Sequence, residues 1–246
     1  MTPEIFKKHN PIALKHAMED DLLKFNRFFF KIQERIKFMI NPHHVLIANV
    51  LHKVYNGEIT RLIINIPPRY GKTILSVVGF VAWCFAKNKE CRFLHCSYSD
   101  DLALENSSKI KDIVESEEFR YLWGLEIRPD STAKKRWNIL NGGGLYAVSA
   151  GGQIIGFGAG KAGPGFNGAL IIDDPIKAQD TYSDVKRIRV NEWMNDTINS
   201  RLEQQRTTPI IVIMQRLHEE DLSGFLLNGG NGDMWHHLCL PALIAA

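Results

Sequence analysis

The stretch Ile63-Ile64-Asn65-Ile66-Pro67-Pro68-Arg69-Tyr70-Gly71-Lys72-Thr73-Ile74-Leu75 constrains this chain more than any other. An apolar, β-branched run ends in Pro-Pro, and Gly-Lys-Thr then opens a segment of helical character. A buried strand that turns tightly into a helix presents the first N–H groups of that helix without intrahelical partners, at the positive end of the helix dipole. Such a helix start holds phosphate. In a phosphate-binding loop, glycine lets the backbone approach the anion, lysine reaches the outer phosphates, and the hydroxyl that follows holds Mg²⁺. Those roles fall on Gly71, Lys72 and Thr73, with Pro68, Arg69 and Tyr70 completing the loop. The usual pattern opens with a further glycine, separated from the Gly-Lys pair by four residues, and Ile66 stands there instead. Pro67 and Pro68 stiffen the turn by fixing φ.

A second feature matches the first. Ala169-Leu170-Ile171-Ile172 is an apolar strand that ends in Asp173-Asp174-Pro175, about a hundred residues after Lys72. In folds of this kind the phosphate site lies at the carboxyl edge of the sheet, where this acid pair also falls. Asp173 is the candidate metal ligand beside Thr73. Asp174 is the candidate general base for the attacking water, in a place where glutamate is usual in the class with an added central strand. A third apolar strand, Ile210 to Met214, ends in Gln215, which is placed to sense the outer phosphate. Positive charge for the transition state falls to Arg69, inside the loop, or to Arg216, which serves equally well as a surface ion-pair partner of Glu219 or Glu220. Lys161 is a weaker candidate for a group acting on a neighbouring subunit, against its reading as a solvated loop lysine.

The rest of the chain fits an α/β domain. Residues 11 to 40 carry Leu14, Met18, Leu22, Phe25, Phe29, Ile32, Ile36 and Met39 at helical spacing. Asn41-Pro42 closes that segment. A helix over 43 to 55 follows, with Val45, Ile47, Val50, Leu51 and Val54 inward. After the phosphate loop come a helix to about Lys87, a strand Arg92 to Ser97, and a helix capped by Ser99 or Asp100 that runs to about Glu115. A hairpin turns at Asn141-Gly142-Gly143-Gly144. A glycine-rich loop occupies 150 to 168, and one helix is expected over 183 to 205, with Val185, Ile188, Trp193, Met194, Thr197, Ile198 and Leu202 inward. Strands alternating with helices mean a mainly parallel sheet with right-handed crossovers. The expected fold is therefore a P-loop NTPase of the additional-strand, catalytic-glutamate class. Its domains are an N-terminal helical extension, 1–40, and an ATPase domain, 41–246.

Composition excludes other classes. With 246 residues, 45% of them hydrophobic and 23% charged, the chain is an ordinary globular protein. Charges interrupt every apolar run, so no membrane partner is expected. The four cysteines, Cys84, Cys91, Cys96 and Cys239, form no Cys-x-x-Cys pair and point to a reducing compartment. His43-His44 and His236-His237 lack a surrounding ligand set and read as structural or surface residues. A net charge of +3 permits a nucleic-acid partner without arguing for one. Two basic clusters, Lys134-Lys135-Arg136 and Lys186-Arg187 with Arg189, are candidates for phosphate contacts or simply solvated faces.

Three blocks together resemble the large terminase subunit of tailed bacteriophages: Asn65 to Thr73, Leu170 to Lys177, and Ile213-Met214-Gln215-Arg216-Leu217-His218 continuing to Gly224. Ser97-Tyr98-Ser99 and Trp193 to Leu202 fit as well, so the likeness runs from about Asn41 to Pro241. The resemblance implies an ATP- and Mg²⁺-dependent motor that drives double-stranded DNA into a procapsid. It implies a ring of subunits on a portal protein, a small terminase subunit as partner, and a location in the host cytoplasm. It also implies a C-terminal nuclease domain, which these residues do not contain, so nuclease activity is not expected of them. By position the resemblance gives Lys72 and Thr73 to nucleotide and metal, Arg69 to the loop arginine, Asp173 to the metal and Asp174 to the base. Gln215 falls in the coupling motif. The glycine-rich approach to Asp173, Gly160 to Phe166, has no arginine, so no trans-acting finger is assigned. A helicase-like remodelling ATPase with the same site is the alternative.

Overall fold

A computed structural model of the chain describes residue 6 and residues 10–152, 154 and 156–242. Seven strands form one sheet: β1 Arg61–Asn65, β2 Arg92–Ser97, β3 Arg136–Asn138, β4 Gly144–Ser149, β5 Leu170–Asp173, β6 Ile210–Met214 and β7 His236–Cys239. Their order across the sheet is β3-β4-β2-β5-β6-β1-β7. All neighbours run parallel except the β3–β4 hairpin, which turns through the Asn-Gly-rich segment. Central parallel strands are covered on both faces and so are apolar throughout. Every residue of β1, β5 and β6 is buried. β6 lies between β1 and β5, which is the inserted central strand that the sequence led us to expect.

The strand alternation divides the core into two layers. Leu62, Ile64, Phe93, Ile171, Ile211 and Ile213 face one side, and Ile63, Leu94, Ile172 and Val212 face the other. The first layer lies under the helices α1 Pro11–Asp20, α2 Leu22–Glu34, α3 Pro42–Tyr55, α4 Phe80–Lys87, α5 Asp100–Glu115 and α6 Glu117–Trp123. The second lies under α7 Asp184–Trp193 and α8 Leu222–Leu227. A π-helical segment, Ile74–Gly79, joins the loop that follows β1 to α4.

Several helix boundaries differ from the sequence reading. Residues 11 to 40 are two helices, because Asp21 is extended and its carboxylate caps α2 through the N–H groups of Leu23 and Lys24. α2 stops at Glu34, where Arg35 turns left-handed at φ 58°, and Ile36 and Met39, which keep the helical spacing, are exposed beyond it. Val45 is exposed as well, on the outer face of α3. The long helix expected over 183 to 205 ends at Trp193 and continues as a π-helical turn, Met194–Ile198, and a 3-10 turn, Asn199–Arg201. Trp193, Met194 and Leu202 are buried as expected, but Val185 and Ile188 are exposed. The expectations for Thr197 and Ile198 fall on side chains outside the described set.

Candidate active site

The carboxyl ends of β1, β6 and β5 bring the three sequence motifs together. Thr73 Oγ1 donates to Asp173 Oδ2 at 2.8 Å. Lys72 Nζ, nearly buried, lies 2.7 Å from Asp174 Oδ2 and 2.8 Å from Oδ1. Gln215 enters through its backbone, whose N–H donates to Asp174 Oδ1 at 3.2 Å. Tyr98, just past β2, donates its N–H to the Asp174 carbonyl at 3.1 Å. Asp174 thus ties together the residues following β1, β2 and β6. It does so from a left-handed backbone, φ 43°, which is uncommon for a residue other than glycine.

The loop itself holds two residues in the same region, Arg69 at φ 67° and Gly71 at φ 71°. A Cβ at Gly71 would sit 3.0 Å from His44 Nε2, so both torsion and space select glycine there. Ile66, where a leading glycine is usual, is buried in the core beneath the loop. Arg69 is exposed and makes no hydrogen bond or ion pair with another described residue.

The two histidines of the α3 start anchor this loop. His44 Nδ1 accepts the Asn41 N–H at 3.0 Å, so the ring proton is on Nε2, which donates to the Tyr70 carbonyl at 3.1 Å. His43 Nε2 also lies 3.1 Å from that carbonyl. Burial and the neighbouring His43 hold His44 below the usual imidazole range. These histidines are structural, as the sequence suggested, and they also border a cavity of about 610 Å³ between the loop and the chain before α3. Phe38, Pro42, Arg69 and Tyr70 complete its walls. Sequence reading missed this cavity, since Phe38 and Asn41 carried no signal beyond a helix end.

Asp173 is 1% exposed, and its Oδ1 is buried without a hydrogen-bond partner among the described residues. Burial, followed by the Asp174 charge, pushes its carboxyl up to about 7, while the Thr73 hydroxyl, Lys72 and Asn106 pull it down. A buried, under-satisfied carboxylate oxygen next to a threonine hydroxyl is a hard-oxygen donor set, which suits Mg²⁺ completed by phosphate and water. Behind it lies a polar cluster that periodicity did not reveal. His95 Nε2 meets Asn106 Nδ2 at 3.2 Å, and the hydroxyls of Ser76 and Ser97 are buried without partners among the described residues.

Not every candidate converges. Lys161 pairs with Glu90, and Gly160 beside it bonds the Arg92 carbonyl at the amino edge of the sheet, opposite the acid pair. Within one chain, then, Lys161 is remote from Lys72. Arg216 lies 3.4 Å from the buried Asp221, which also caps α8, so its partner is Asp221 rather than the Glu219 or Glu220 carboxylates.

Comparison with solved structures bears on the fold. The large terminase of bacteriophage HK97 matches over 90% of this chain and 43% of its own, with 16% identity and a TM-score of 0.54. The large terminase of a thermophilic bacteriophage matches over 82% of this chain and 46% of its own, with 12% identity and a TM-score of 0.53. The fold of this chain resembles that of the phage large terminases. The terminase-like fold is a P-loop NTPase fold. It is shared with Saccharomyces cerevisiae Dbp5 in a complex with Gle1 and IP6, at 10% identity and a TM-score of 0.50 over 88% of this chain and 50% of that one. The chain spans less than half the length of the terminases it matches. No family model and no curated protein sequence matches it.

Proposed function

We propose that this chain is the ATPase motor portion of a terminase-like DNA-packaging machine, hydrolysing ATP with Mg²⁺ to move double-stranded DNA. The observation that carries the reading is the double pairing of Lys72 with Asp174 and of Thr73 with Asp173, across a sheet with β6 inserted between the two strands concerned. In this reading the loop N–H groups and Lys72 bind the β- and γ-phosphates, and the base fills the cavity beside His43, His44 and Phe38. Thr73 and Asp173 hold Mg²⁺, which supplies charge neutralisation at the phosphates. Lys72 exchanges Asp174 for phosphate, which frees the Asp174 carboxylate to orient and deprotonate the attacking water. Arg69 supplies further positive charge. Gln215, bonded through its backbone to Asp174, carries the state of the site toward α8.

In the assembled machine, portal protein, procapsid and small terminase subunit are the partners, the working form is a ring of subunits, and the setting is the host cytoplasm. No described helix is long and apolar enough to cross a membrane. The likeness to Dbp5, a helicase, favours a second reading, a DNA-remodelling ATPase with the same site chemistry. A steady-state ATPase assay with and without duplex DNA and portal-bearing procapsids tests the choice. Stimulation by duplex and procapsid together is expected of a packaging motor. Stimulation by single strands alone would favour the remodeller. In either case Lys72→Ala lowers kcat by about a hundredfold or more, and full turnover by that variant would remove both readings.

A further inference from the structure

Two basic clusters stand out in the sequence, and the fold treats them differently. In the cluster on α7, Lys186 pairs with Asp180 at 2.5 Å, and the nearly buried Arg187 pairs with Asp184 at 2.5 Å and Glu220 at 3.0 Å. Lys186 and Arg187 are thus neutralised within the chain, which leaves Arg189 of that cluster exposed and without an ion pair among the described residues. Lys134, Lys135 and Arg136 are exposed, and none of them makes an ion pair with another described residue.

Topology fixes where these three residues lie. β3 is antiparallel to β4, so its first residue, Arg136, is directed to the same edge at which β2 and β5 end. The Lys135 carbonyl accepts the Ala147 N–H, and the Lys134 carbonyl accepts the Ser107 hydroxyl, which fixes both residues beside the carboxyl end of β4. The Arg136 guanidinium lies over the Phe157 ring, 5.3 Å from its centre. Three strand steps separate β3 from the Asp173 strand, about 14 Å. That interval is spanned by Tyr98, which follows β2, and Lys177, which follows β5. The Lys177 ammonium sits 5.5 Å from the centre of the half-exposed Tyr98 ring. Lys177 likewise has no acidic partner among the described residues. Asp100 and Asp101, at the start of α5, are opposing charges on this edge; Asp100 accepts the Ser149 N–H at 2.7 Å and also feels the Lys135 charge.

We infer that Lys134, Lys135, Arg136 and Lys177, with Tyr98 between them, form a strip that grips the phosphate backbone of duplex DNA beside the nucleotide site. Arginine and lysine on a rigid edge, held by aromatic faces, suit sequence-independent phosphate contact. Ring contacts hold the Arg136 and Lys177 side chains, and backbone bonds fix the main chain from which Lys134 and Lys135 project, so part of the ordering that opposes binding is already in place. Tyr98 links the strip to the site directly, since its N–H binds the Asp174 carbonyl. This inference rests on the ATPase motor reading but concerns a separate surface.

The test is a fluorescence-anisotropy titration of a short mixed-sequence duplex with the full chain, from about 50 to 200 mM salt. Lys134→Gln/Lys135→Gln/Arg136→Gln should bind about tenfold or more weakly, with a salt slope shallower by about 0.9 for each phosphate no longer engaged. The single exposed-site variants Lys135→Gln and Lys177→Gln should each make the slope shallower by about 0.9, which keeps the inference falsifiable if the triple variant misfolds. Binding of a fluorescent ATP analogue and the Tm should match wild type in all of them. Lys161→Gln and Lys186→Gln should bind duplex as wild type does. Unchanged duplex affinity and slope in the strip variants overturn the inference, as does an equal loss in Lys161→Gln. A wild-type chain that binds the ATP analogue but no duplex overturns the strip and leaves the ATPase reading standing, whereas one that binds neither overturns both. A clear preference for single-stranded nucleic acid overturns the duplex assignment.

Discussion

Asp174 carries more of the site than its neighbours do, because its side chain and backbone meet groups that follow three different strands. Asp174→Asn keeps the shape and a hydrogen-bond acceptor for Lys72 but removes the base. Nucleotide affinity should persist in a binding titration while kcat falls about 10²–10⁴-fold; loss of binding instead would place Asp174 in the metal shell. Gly71→Ala forces a Cβ into the left-handed region and against His44, 3.0 Å away. It should cost about 1–2 kcal/mol in denaturant unfolding and weaken nucleotide binding as well. His95 supplies a pH signature. Burial lowers its pKa from 6.5 to about 4, so between those values the unfolded chain takes up a proton that the native chain refuses. Its contribution to stability is therefore complete above pH 6.5 and is lost as pH falls toward 4, by up to about 3 kcal/mol. Asp173, shifted the other way, opposes this over part of the range. The quantity to measure is accordingly the difference between wild type and His95→Gln, whose acid limb should be flatter.

At the scale of elements, the segment between phosphate loop and α4 shows where one glycine decides a packing distance. Gly79 ends the π-helical stretch against α2, and an added Cβ would lie 2.3 Å from Asn26 Oδ1 and 3.1 Å from the Ile74 carbonyl. Asn26 is itself buried, at 3% exposure. Gly79→Ala should therefore destabilise by about 1–3 kcal/mol, seen as a Tm lowered by about 2–4 °C per kcal/mol. An unchanged Tm would mean that α2 yields freely at this contact. The strands were legible because a buried parallel strand is a continuous apolar run, and β1, β5 and β6 all match their expected spans closely. Helix ends were less so. Periodicity continues across Asp21, and only the extended backbone there, with its carboxylate capping the next helix, shows that two helices meet. Likewise Val185 and Ile188 keep helical spacing with Trp193, yet α7 turns them outward because its contact with the sheet begins only at its C-terminal end.

Over the whole molecule, α1 and α2 belong to the same hydrophobic layer as the helix after the phosphate loop. Met18, Leu22, Phe25 and Phe29 are each at most 1% exposed within it, and Phe25 and Phe29 pack on Phe119 and Trp123. Each such side chain is worth about 1.5–3 kcal/mol of burial, so the four together approach the whole stability of an ordinary domain, about 5–15 kcal/mol. A chain lacking residues 1–40 should aggregate on expression or lose cooperative unfolding. A soluble truncation with an unchanged, sharp transition would show instead that the extension only decorates the domain.

The sequence by itself determined the strand-loop-helix unit around Gly71-Lys72-Thr73, the acid pair at a strand end, the strand leading to Gln215 and the parallel α/β class. Each of these is written in contiguous residues whose local chemistry has few other uses. Tertiary structure alone decided which groups meet. It put Lys72 on Asp174 and Thr73 on Asp173, set β6 between their strands, and sent Lys161 to the far edge of the sheet. It also paired Lys186 and Arg187 with acids while leaving Lys134, Lys135 and Arg136 open beside the site. Such outcomes depend on strand order and on partners many residues away, and no local pattern of residue types encodes them.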